Sequence, residues 1–414
     1  MASDMDATVS AAERSPLMRR LTLTVILASA LATCLAFAAT QPILPMLAAH
    51  FGGLNAVRMS QLVQTTPGLG LLLGGLLGGW LMAKTGKRPM ILASLAAIGV
   101  FGVSGAFVSD PWLFLGSRLL LGLASALLST ACVTLMAEIY HGDARAKVMA
   151  ALQSAGTFSA ILIVPIAGFV AEKFGWRAPF WSFAIFAAPV LLIAMFSIPG
   201  KGGTPAAMQE QGGESALNAA LKLWPYLLLV FCFSELMTMG ITQLPFLLKE
   251  EGESGAGFQS LVLAGNALLM GVGAALAAPI MIRLGEQKTV LIGLVIAGVG
   301  DIVAGWPAPG FIYTSAGSIF SYLGCGVLLT LGFSLVLNRA SAEARGLVAG
   351  FILAASFIGQ FTNAFILAPI IAQIGLHGVY VLVGVLAVLA PIVGQTITRL
   401  PPARRALKFT STHH

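Results

Sequence analysis

Charged residues are scarce in this chain. Only 9% of its 414 residues are Asp, Glu, Lys or Arg, whereas 57% are hydrophobic. A water-soluble chain carries roughly 25% charged residues. The apolar surplus has no place in water, so the sequence predicts an integral membrane protein. The composition also argues against nucleic-acid binding. The net charge is +7, but the sequence contains no soluble domain that could present a basic surface.

Metal-binding and nucleotide-binding patterns are absent as well. The four cysteines, Cys34, Cys132, Cys232 and Cys325, lie within apolar runs and fit small packing residues better than disulfide partners or metal ligands. The sequence contains neither a P-loop, which ATP-driven transport requires, nor an HExxH zinc motif. We therefore expect no cofactor, no metal and no enzymatic activity.

What the sequence has instead is a series of apolar runs, each near the roughly 20 residues that a helix needs to cross a membrane. We number the twelve runs span 1 to span 12: 21–48, 58–82, 89–108, 112–137, 146–170, 178–198, 223–248, 259–282, 288–307, 311–337, 346–371 and 377–398. Strand-period alternation is absent, which argues against a β-barrel. The segment "AFAA" at 36–39 resembles a signal-peptide cleavage site, but span 1 continues past it and is expected to be retained.

Positive charge is distributed unevenly between the loops. With the N-terminus in the cytoplasm, 18 of the 23 Lys and Arg residues fall on the cytoplasmic side and 4 on the opposite side. This bias predicts a multi-pass protein of the cytoplasmic (inner) membrane with both termini in the cytoplasm.

The chain also repeats itself, with offsets of 199 and 200 residues. "KTG" at 84–86 recurs as "RLG" at 283–285, "DARAK" at 143–147 as "EARGL" at 343–347, and Gly175 as Gly375. Six spans therefore repeat as six spans in one orientation, which is a known transporter plan. The predicted organisation is a cytoplasmic tail at 1–20, a first half at 21–198, a cytoplasmic linker at 199–222, a second half at 223–398 and a cytoplasmic tail at 399–414.

Short motifs make the chain similar to the major facilitator superfamily. The loop after span 2, "GWLMAKTGKR", carries motif residues Gly79, Leu81, Lys84, Gly86, Lys87 and Arg88. Arg118 and Gly122 in "SRLLLG" of span 4 and the turn "GWRAPF" at 175–180 are also similar to the family. The resemblance covers all twelve spans. It implies an all-α membrane fold of two parallel six-helix repeats and secondary transport by alternating access.

The loop motif departs from the family at one position. In the family an Asp of this motif latches the cytoplasmic gate with neighbouring cations, but here the position is Ala83, and Ile282 matches it in the second half. The remaining gate residues are Lys84, Lys87, Arg88, Arg283, and the turn glycines Gly86 and Gly285. We expect the cations either to meet Asp143, Glu343 or backbone carbonyls, or to set topology alone.

Small residues follow a pattern in two spans. Gly70, Gly74 and Gly78 recur at four-residue spacing in span 2, which predicts a packing face rather than a substrate site. The Gly-Pro pattern that the family associates with antiporters persists in span 5 only as Pro165 and Gly168. The resemblance to antiporters is weakened by this loss but not removed.

Three charged residues lie within spans, where charge is costly and a function is the default hypothesis. Glu235 lies near the middle of span 7, with Thr238 and Thr242 on its face. Its carboxylate is suited to load and release a proton, and Arg118 is a second coupling candidate. A structural ion pair or a satisfied polar contact is the alternative for both. Asp301 in "GVGD" matches intramembrane aspartyl proteases, but no other span contains an Asp, so we expect a helix-end acid that reaches the surface.

In the family, spans 1, 4, 7 and 10 line the cavity. On that resemblance, the substrate-binding candidates are Gln41, Arg118, Ser125, Glu235, Thr238, Thr242 and Tyr322. Asn266, Gln360 and Asn363 fit interhelical hydrogen bonds better. The predicted function is proton-coupled efflux of a small organic or amphipathic solute by a monomer, with the solute, protons and the lipid bilayer as partners. Proton-coupled uptake, uniport of a small metabolite, and flipping of a lipid-type substrate remain alternatives.

Overall fold

The computed structural model describes residues 16–53, 55–198, 216–253, 255–307, 310–339 and 345–399. Within these ranges every regular element is helical. Most of the predicted linker and the greater part of both tails lie outside the described residues. Helices already begin at Pro16 and Ala216, so the last residues assigned to the N-terminal tail and to the linker are helical.

Spans 1 and 7 are each broken near one end. Span 1 comprises the helices Pro16–Ala38 and Leu44–Phe51, separated by a 3-10 turn at Gln41–Ile43. Span 7 comprises Ala216–Thr242 and Leu244–Glu250, whose axes differ by 41°. Each break coincides with proline, which cannot donate the helical hydrogen bond at its position.

The other spans are continuous helices. They are Ala56–Thr85 (span 2), Lys87–Val103 (span 3), Pro111–Ile139 (span 4), Gly142–Phe174 (span 5), Trp181–Ser197 (span 6), Ala256–Leu284 (span 8), Glu286–Ala304 (span 9), Phe311–Arg339 (span 10) and, for spans 11 and 12 together, Arg345–Arg399. The last element is broken at Gly375, which has φ 72° and ψ 175°. Gly175 has φ 86° at the matching turn between spans 5 and 6. Only glycine adopts this left-handed backbone without strain.

The number of spans agrees with the sequence. Ten segments of the described residues are long and apolar enough to cross a membrane, and the bent pair of span 7 makes an eleventh. One of the ten, Val348–Ala390, runs through Gly375 and therefore holds both span 11 and span 12. The predicted all-α membrane fold of twelve spans is confirmed.

Glycines let spans 2 and 4 approach backbone to backbone. A Cβ atom on Gly70 would lie 2.1 Å from the carbonyl oxygen of Leu119, and one on Gly122 would lie 2.0 Å from the carbonyl oxygen of Pro67. Gly74 meets span 4 in the same way. The predicted packing face of span 2 is therefore confirmed.

The second half repeats this contact between spans 8 and 10. A Cβ atom on Gly273 would lie 2.0 Å from the carbonyl oxygen of Leu323, and one on Gly326 would lie 2.0 Å from that of Met270. Since no side chain fits between these helices, both halves depend on glycine at equivalent places.

The two halves are joined at the ends of the spans that are predicted to face away from the cytoplasm, which we call the outer side. Gln61 Nε2 of span 2 donates to Gln243 Oε1 of span 7 over 2.8 Å. The backbone N–H of Gly257 donates to Glu172 Oε2 over 2.8 Å. Spans 5 and 8 pack closely here as well. The structure is therefore closed on the outer side.

Candidate functional site

A cavity lies between the two halves, one helical turn from the Gln61–Gln243 contact. Its volume is about 200 Å³. Its lining residues are Phe37, Gln41, Gln64 and Thr65 from the first half and Met237, Thr238, Ile241, Phe357 and Gln360 from the second half. Amide and hydroxyl groups supply the polar part of this lining, and aromatic and aliphatic groups supply the rest. Such a surface suits a solute with both polar and apolar parts.

A second cavity of about 360 Å³ lies among spans 1, 4 and 5. It shares Phe37 with the first cavity. Its polar lining comes from Ser29, Thr33, Ser129 and Gln153. Among the described residues, neither cavity has a charged side chain in its lining. A solute that enters them therefore meets hydrogen-bonding groups rather than counter-charges.

The structure places two predicted substrate residues, Gln41 and Thr238, in the lining of the first cavity. Gln360, which the sequence indicated as an interhelical contact, also lines it. The interhelical role expected of Asn266 is confirmed, because its Nδ2 donates to Ser318 Oγ over 2.9 Å.

Three other predicted substrate residues lie within helix contacts instead. The Ser125 hydroxyl donates to the carbonyl oxygen of Leu121 over 2.9 Å, and Ser125 is fully buried. Tyr322 is also buried and donates to the carbonyl oxygen of Met237 over 2.5 Å. Thr242 donates to Asn363 Oδ1 over 3.0 Å. These three side chains bond to their own or a neighbouring helix and line neither cavity, and the described lining of the two cavities includes residues of spans 2, 5 and 11 but none of span 10.

Arg118 does not face either cavity, contrary to expectation. It is 0% exposed, and its Nη2 donates to the carbonyl oxygens of Phe101 at 2.5 Å and Gly102 at 3.2 Å. Three aromatic rings lie with centroids 5.1 to 5.8 Å from its Cζ, namely Phe114, Phe180 and Phe183. Carbonyls at a helix C-terminus and aromatic faces both attract a cation. The side chain of Arg118, which belongs to span 4, is thus bound to the end of span 3 inside the first half.

Glu235 lies in the contact between spans 7 and 11, one turn from Thr238. Its Oε1 accepts a hydrogen bond from the Thr362 hydroxyl over 2.8 Å, and its Oε2 accepts one from Asn363 Nδ2 over 2.8 Å. None of the ion pairs among the described residues involves it. The carboxyl group is therefore held by neutral donors, which excludes the ion pair but agrees with the satisfied polar contact considered as the other alternative. Thr362 was missed, although it directly precedes Asn363 in the sequence.

Asp301 is enclosed within the second half, contrary to the prediction that it reaches the surface. Its residue is 4% exposed, and its Oδ2 has no hydrogen-bond partner among the described residues. Glycines allow the neighbouring spans to pack closely around Asp301. A Cβ atom on Gly300 would lie 2.4 Å from the backbone nitrogen of Ser321, and one on Gly305 would lie 2.6 Å from the Cβ of Tyr380.

The cations after span 2 have separate partners at the predicted cytoplasmic side. Lys87 forms an ion pair with Glu138 at the end of span 4. Arg88 donates to the carbonyl oxygen of Met195 over 2.8 Å. Lys84 lies 4.0 Å from the ring centroid of Trp80. Glu138, rather than Asp143, is therefore the acidic partner of this loop, and Glu343 lies outside the described residues.

The corresponding loop of the second half, between spans 8 and 9, also has an ion pair, in which the acidic and the basic residue have exchanged places. Glu286 begins span 9 as Lys87 begins span 3, and it accepts from Arg339 over 3.0 Å at the end of span 10. The turns before these residues also match, since Gly86 and Gly285 both have φ 82°. Glu138 and Arg339 both lie in the last turn of their spans, and a charge there, opposite in sign to the residue that begins the preceding span, was the signal that would have identified Glu138.

We expect the substitution Glu138→Gln to lower stability by about 1–2 kcal/mol, because Lys87 would be left as a poorly paired, buried cation. The Lys87 side chain is 5% exposed, whereas Arg339 and Glu286 are 35% and 39% exposed. Glu286→Gln is therefore a matched control with an expected loss below about 0.5 kcal/mol. Thermal unfolding of both variants in detergent checks this prediction. Equal losses in the two variants would contradict it.

Within the described ranges, no group of three or more His, Cys, Asp or Glu residues is arranged to hold a metal ion. The architecture and the cavity between two parallel six-helix halves are those of a secondary membrane transporter. The family model of the Major Facilitator Superfamily matches residues 26–261. Because this match covers more than half of the chain, the protein belongs to that superfamily, whose members are transporters and not enzymes.

The chain is similar to several transporters of known name. The chain is 23% identical to the probable galactarate/D-glucarate transporter GudP of Bacillus subtilis, with 82% of this chain and 83% of GudP covered. It is 22% identical to the multidrug resistance protein MdtL of Escherichia coli O157:H7, with 83% and 87% covered. Facilitated glucose transporter member 8 of Bos taurus is 31% identical, over 38% of this chain. The chain spans only about a third (32%) of the length of that relative.

Solved structures share the fold. The chain matches an inward-open structure of the Escherichia coli xylose transporter XylE with a TM-score of 0.68 and 18% identity, over 94% of this chain and 98% of the other. A POT family transporter in complex with 5-aminolevulinic acid matches with a TM-score of 0.70 and 13% identity, over 91% and 95%. At these identities the matches establish the fold alone.

Proposed function

We propose that this protein exports a small organic or amphipathic solute across the cytoplasmic membrane in exchange for protons that bind to Glu235. One observation carries the proposal: a carboxyl group within the membrane-spanning region is held only by neutral donors, beside a cavity that has no charge in its lining. A charge in this setting is costly, so loss or gain of a proton changes the energy of the site.

The contact between spans 7 and 11 links this carboxyl group to the cavity. Asn363 donates to Glu235 through its Nδ2. The Thr242 hydroxyl lies within hydrogen-bond distance of both Asn363 Oδ1 and the carbonyl oxygen of Thr238 in the cavity wall, and its one proton is available to either acceptor. Gln360, on the same helix as Asn363, lines the cavity as well. A change in the protonation of Glu235 alters the hydrogen bonds of this contact. It therefore acts on the helices that bind the solute.

The chemistry of the cavity favours a neutral solute, because its described lining residues offer hydrogen-bonding groups but no counter-charge for an ion. An anionic sugar acid, which the name of GudP specifies for that relative, would find no lysine or arginine in the lining. The name of MdtL, a multidrug resistance protein, is in keeping with an amphipathic solute and with export. Uptake of a small metabolite by symport or uniport is the alternative, because the same cavity serves either direction.

Proton movement in sealed vesicles separates these mechanisms. The purified protein would be reconstituted with a pH-sensitive dye in the lumen, and lipophilic cations, neutral sugars and sugar acids would be added outside. Antiport predicts that an inward solute gradient makes the lumen alkaline, since protons leave as solute enters. Acidification would show symport, and solute entry without a pH change would show uniport; either result would reject the proposal.

A further inference from the structure

A groove of about 540 Å³ lies at the outer side, apart from the two cavities of the transport site. Spans 2 and 4 of the first half and span 11 of the second half form its walls. Trp112 and Phe365, two of its lining residues, are 71% and 46% exposed. Exposed aromatic and aliphatic groups on membrane-spanning helices face lipid, so the groove opens sideways into the bilayer.

A cation lies at the outer end of the groove. Arg58 lines it, and its Nε is buried without a hydrogen-bond partner among the described residues. Its guanidinium lies 5.9 Å from the ring of Phe365, and none of the described carboxylates forms an ion pair with it. The side chain of Asn55 does not cap the first turn of span 2, which leaves backbone N–H groups near Arg58. Asp110, which precedes span 4, is not among the described lining residues, and its Oδ1 accepts from the backbone N–H groups of Trp112 and Leu113.

The rest of the groove is apolar and runs into the membrane. Leu62, Leu69, Leu115 and Leu119 line it together with two phenylalanines. Leu69 lies 11 residues beyond Arg58 in span 2, which is about 16 Å along the helix axis. Trp112 lies in the first turn of span 4, the level at which tryptophan marks the membrane boundary. A cation at the membrane boundary with an apolar channel beneath it is complementary in charge and polarity to an anionic phospholipid, whose phosphate lies at the boundary and whose acyl chains lie below.

We propose that this groove binds an anionic phospholipid of the outer leaflet, with its phosphate on Arg58 and an acyl chain along the leucines. The groove exists only while span 11 lies against spans 2 and 4. Span 11 approaches span 2 closely at Gly68, where a Cβ atom would lie 2.9 Å from the ring of Phe357. A lipid that touches both halves here stabilises the structure closed on the outer side, independently of which solute is carried.

Thermal unfolding in detergent with added phosphatidylglycerol tests the proposal. The lipid should raise the unfolding temperature of the wild-type protein, since it binds the folded state. Inorganic phosphate at the same concentration should not, because it lacks the acyl chain. The substitution Arg58→Gln should weaken the apparent lipid affinity by roughly fivefold, the contribution of one cation at a membrane surface. Lys173→Gln, which changes another outer cation away from the groove, should leave the affinity unchanged.

A second variant fills the groove without altering Arg58. A Cβ atom on Gly116, which lines the groove, would have no atom within 4 Å, so Gly116→Leu places its side chain in the open space. This variant should fold, because leucine favours a helix more than glycine does, and should lose the stabilisation by lipid. Equal stabilisation of wild type, Arg58→Gln and Gly116→Leu would overturn the proposal. Equal stabilisation by inorganic phosphate and by lipid would overturn it as well.

Discussion

The substitution Glu235→Gln is expected to abolish transport driven by a pH gradient while solute exchange continues. Glutamine keeps the size of the side chain and a carbonyl oxygen that accepts from Thr362 or Asn363. It cannot release or take up a proton, so it resembles the protonated acid permanently. If Glu235 couples protons to transport, the variant binds solute in the cavity but gains nothing from the pH gradient.

Reconstituted vesicles allow both activities to be measured on the same preparation. Gradient-driven solute flux of Glu235→Gln should fall to the level of protein-free vesicles, and exchange of labelled against unlabelled solute should remain. Asp301→Asn is the matched control, because it also neutralises a buried acid of the second half that has no part in the Thr362–Asn363 contact. Undiminished gradient-driven flux in Glu235→Gln would remove this residue from the mechanism and direct attention to Asp301.

Replacement of Gly122 by alanine is expected to destabilise the whole first half. Its Cβ atom would lie 2.0 Å from the carbonyl oxygen of Pro67 in span 2, and the obstacle is backbone, which cannot rotate away. Spans 2 and 4 must then separate along their length, and the neighbouring contacts at Gly70 and Gly74 weaken with them. We expect a loss of about 3 kcal/mol or more, at the upper end of the usual range for overpacking.

Two companion variants make this prediction specific. Gly326→Ala should be equally severe, because Gly326 has the same relation to Met270 in the second half. Gly75→Ala in span 2 should change stability by less than about 0.5 kcal/mol, since a Cβ atom there meets nothing within 4 Å. Size-exclusion profiles and thermal unfolding of the three variants provide the measurement. A Gly122→Ala protein as stable as Gly75→Ala would show that the helices yield more easily than this packing implies.

The sequence by itself determined the architecture of this protein. The spans follow from apolar length and the halves from the repeat, because a helix in lipid must be long and apolar whatever its neighbours are. The breaks near Pro42 and Pro245 and the glycine face of span 2 also follow from local chemistry. Glu235 was identifiable because an acid is rare within a span.

Only the tertiary structure decided which neighbour each helix face meets. Helical periodicity shows that Arg118 and Ser125 lie near one face of span 4, but the Arg118 side chain meets span 3 of the first half instead of a cavity. The pairing of Lys87 with Glu138 likewise joins two residues that are 51 positions apart, at the start of span 3 and the end of span 4. Such contacts depend on how whole helices pack around one another. A pattern along one helix determines the direction of a side chain, but it does not determine which group on a neighbouring helix the side chain contacts.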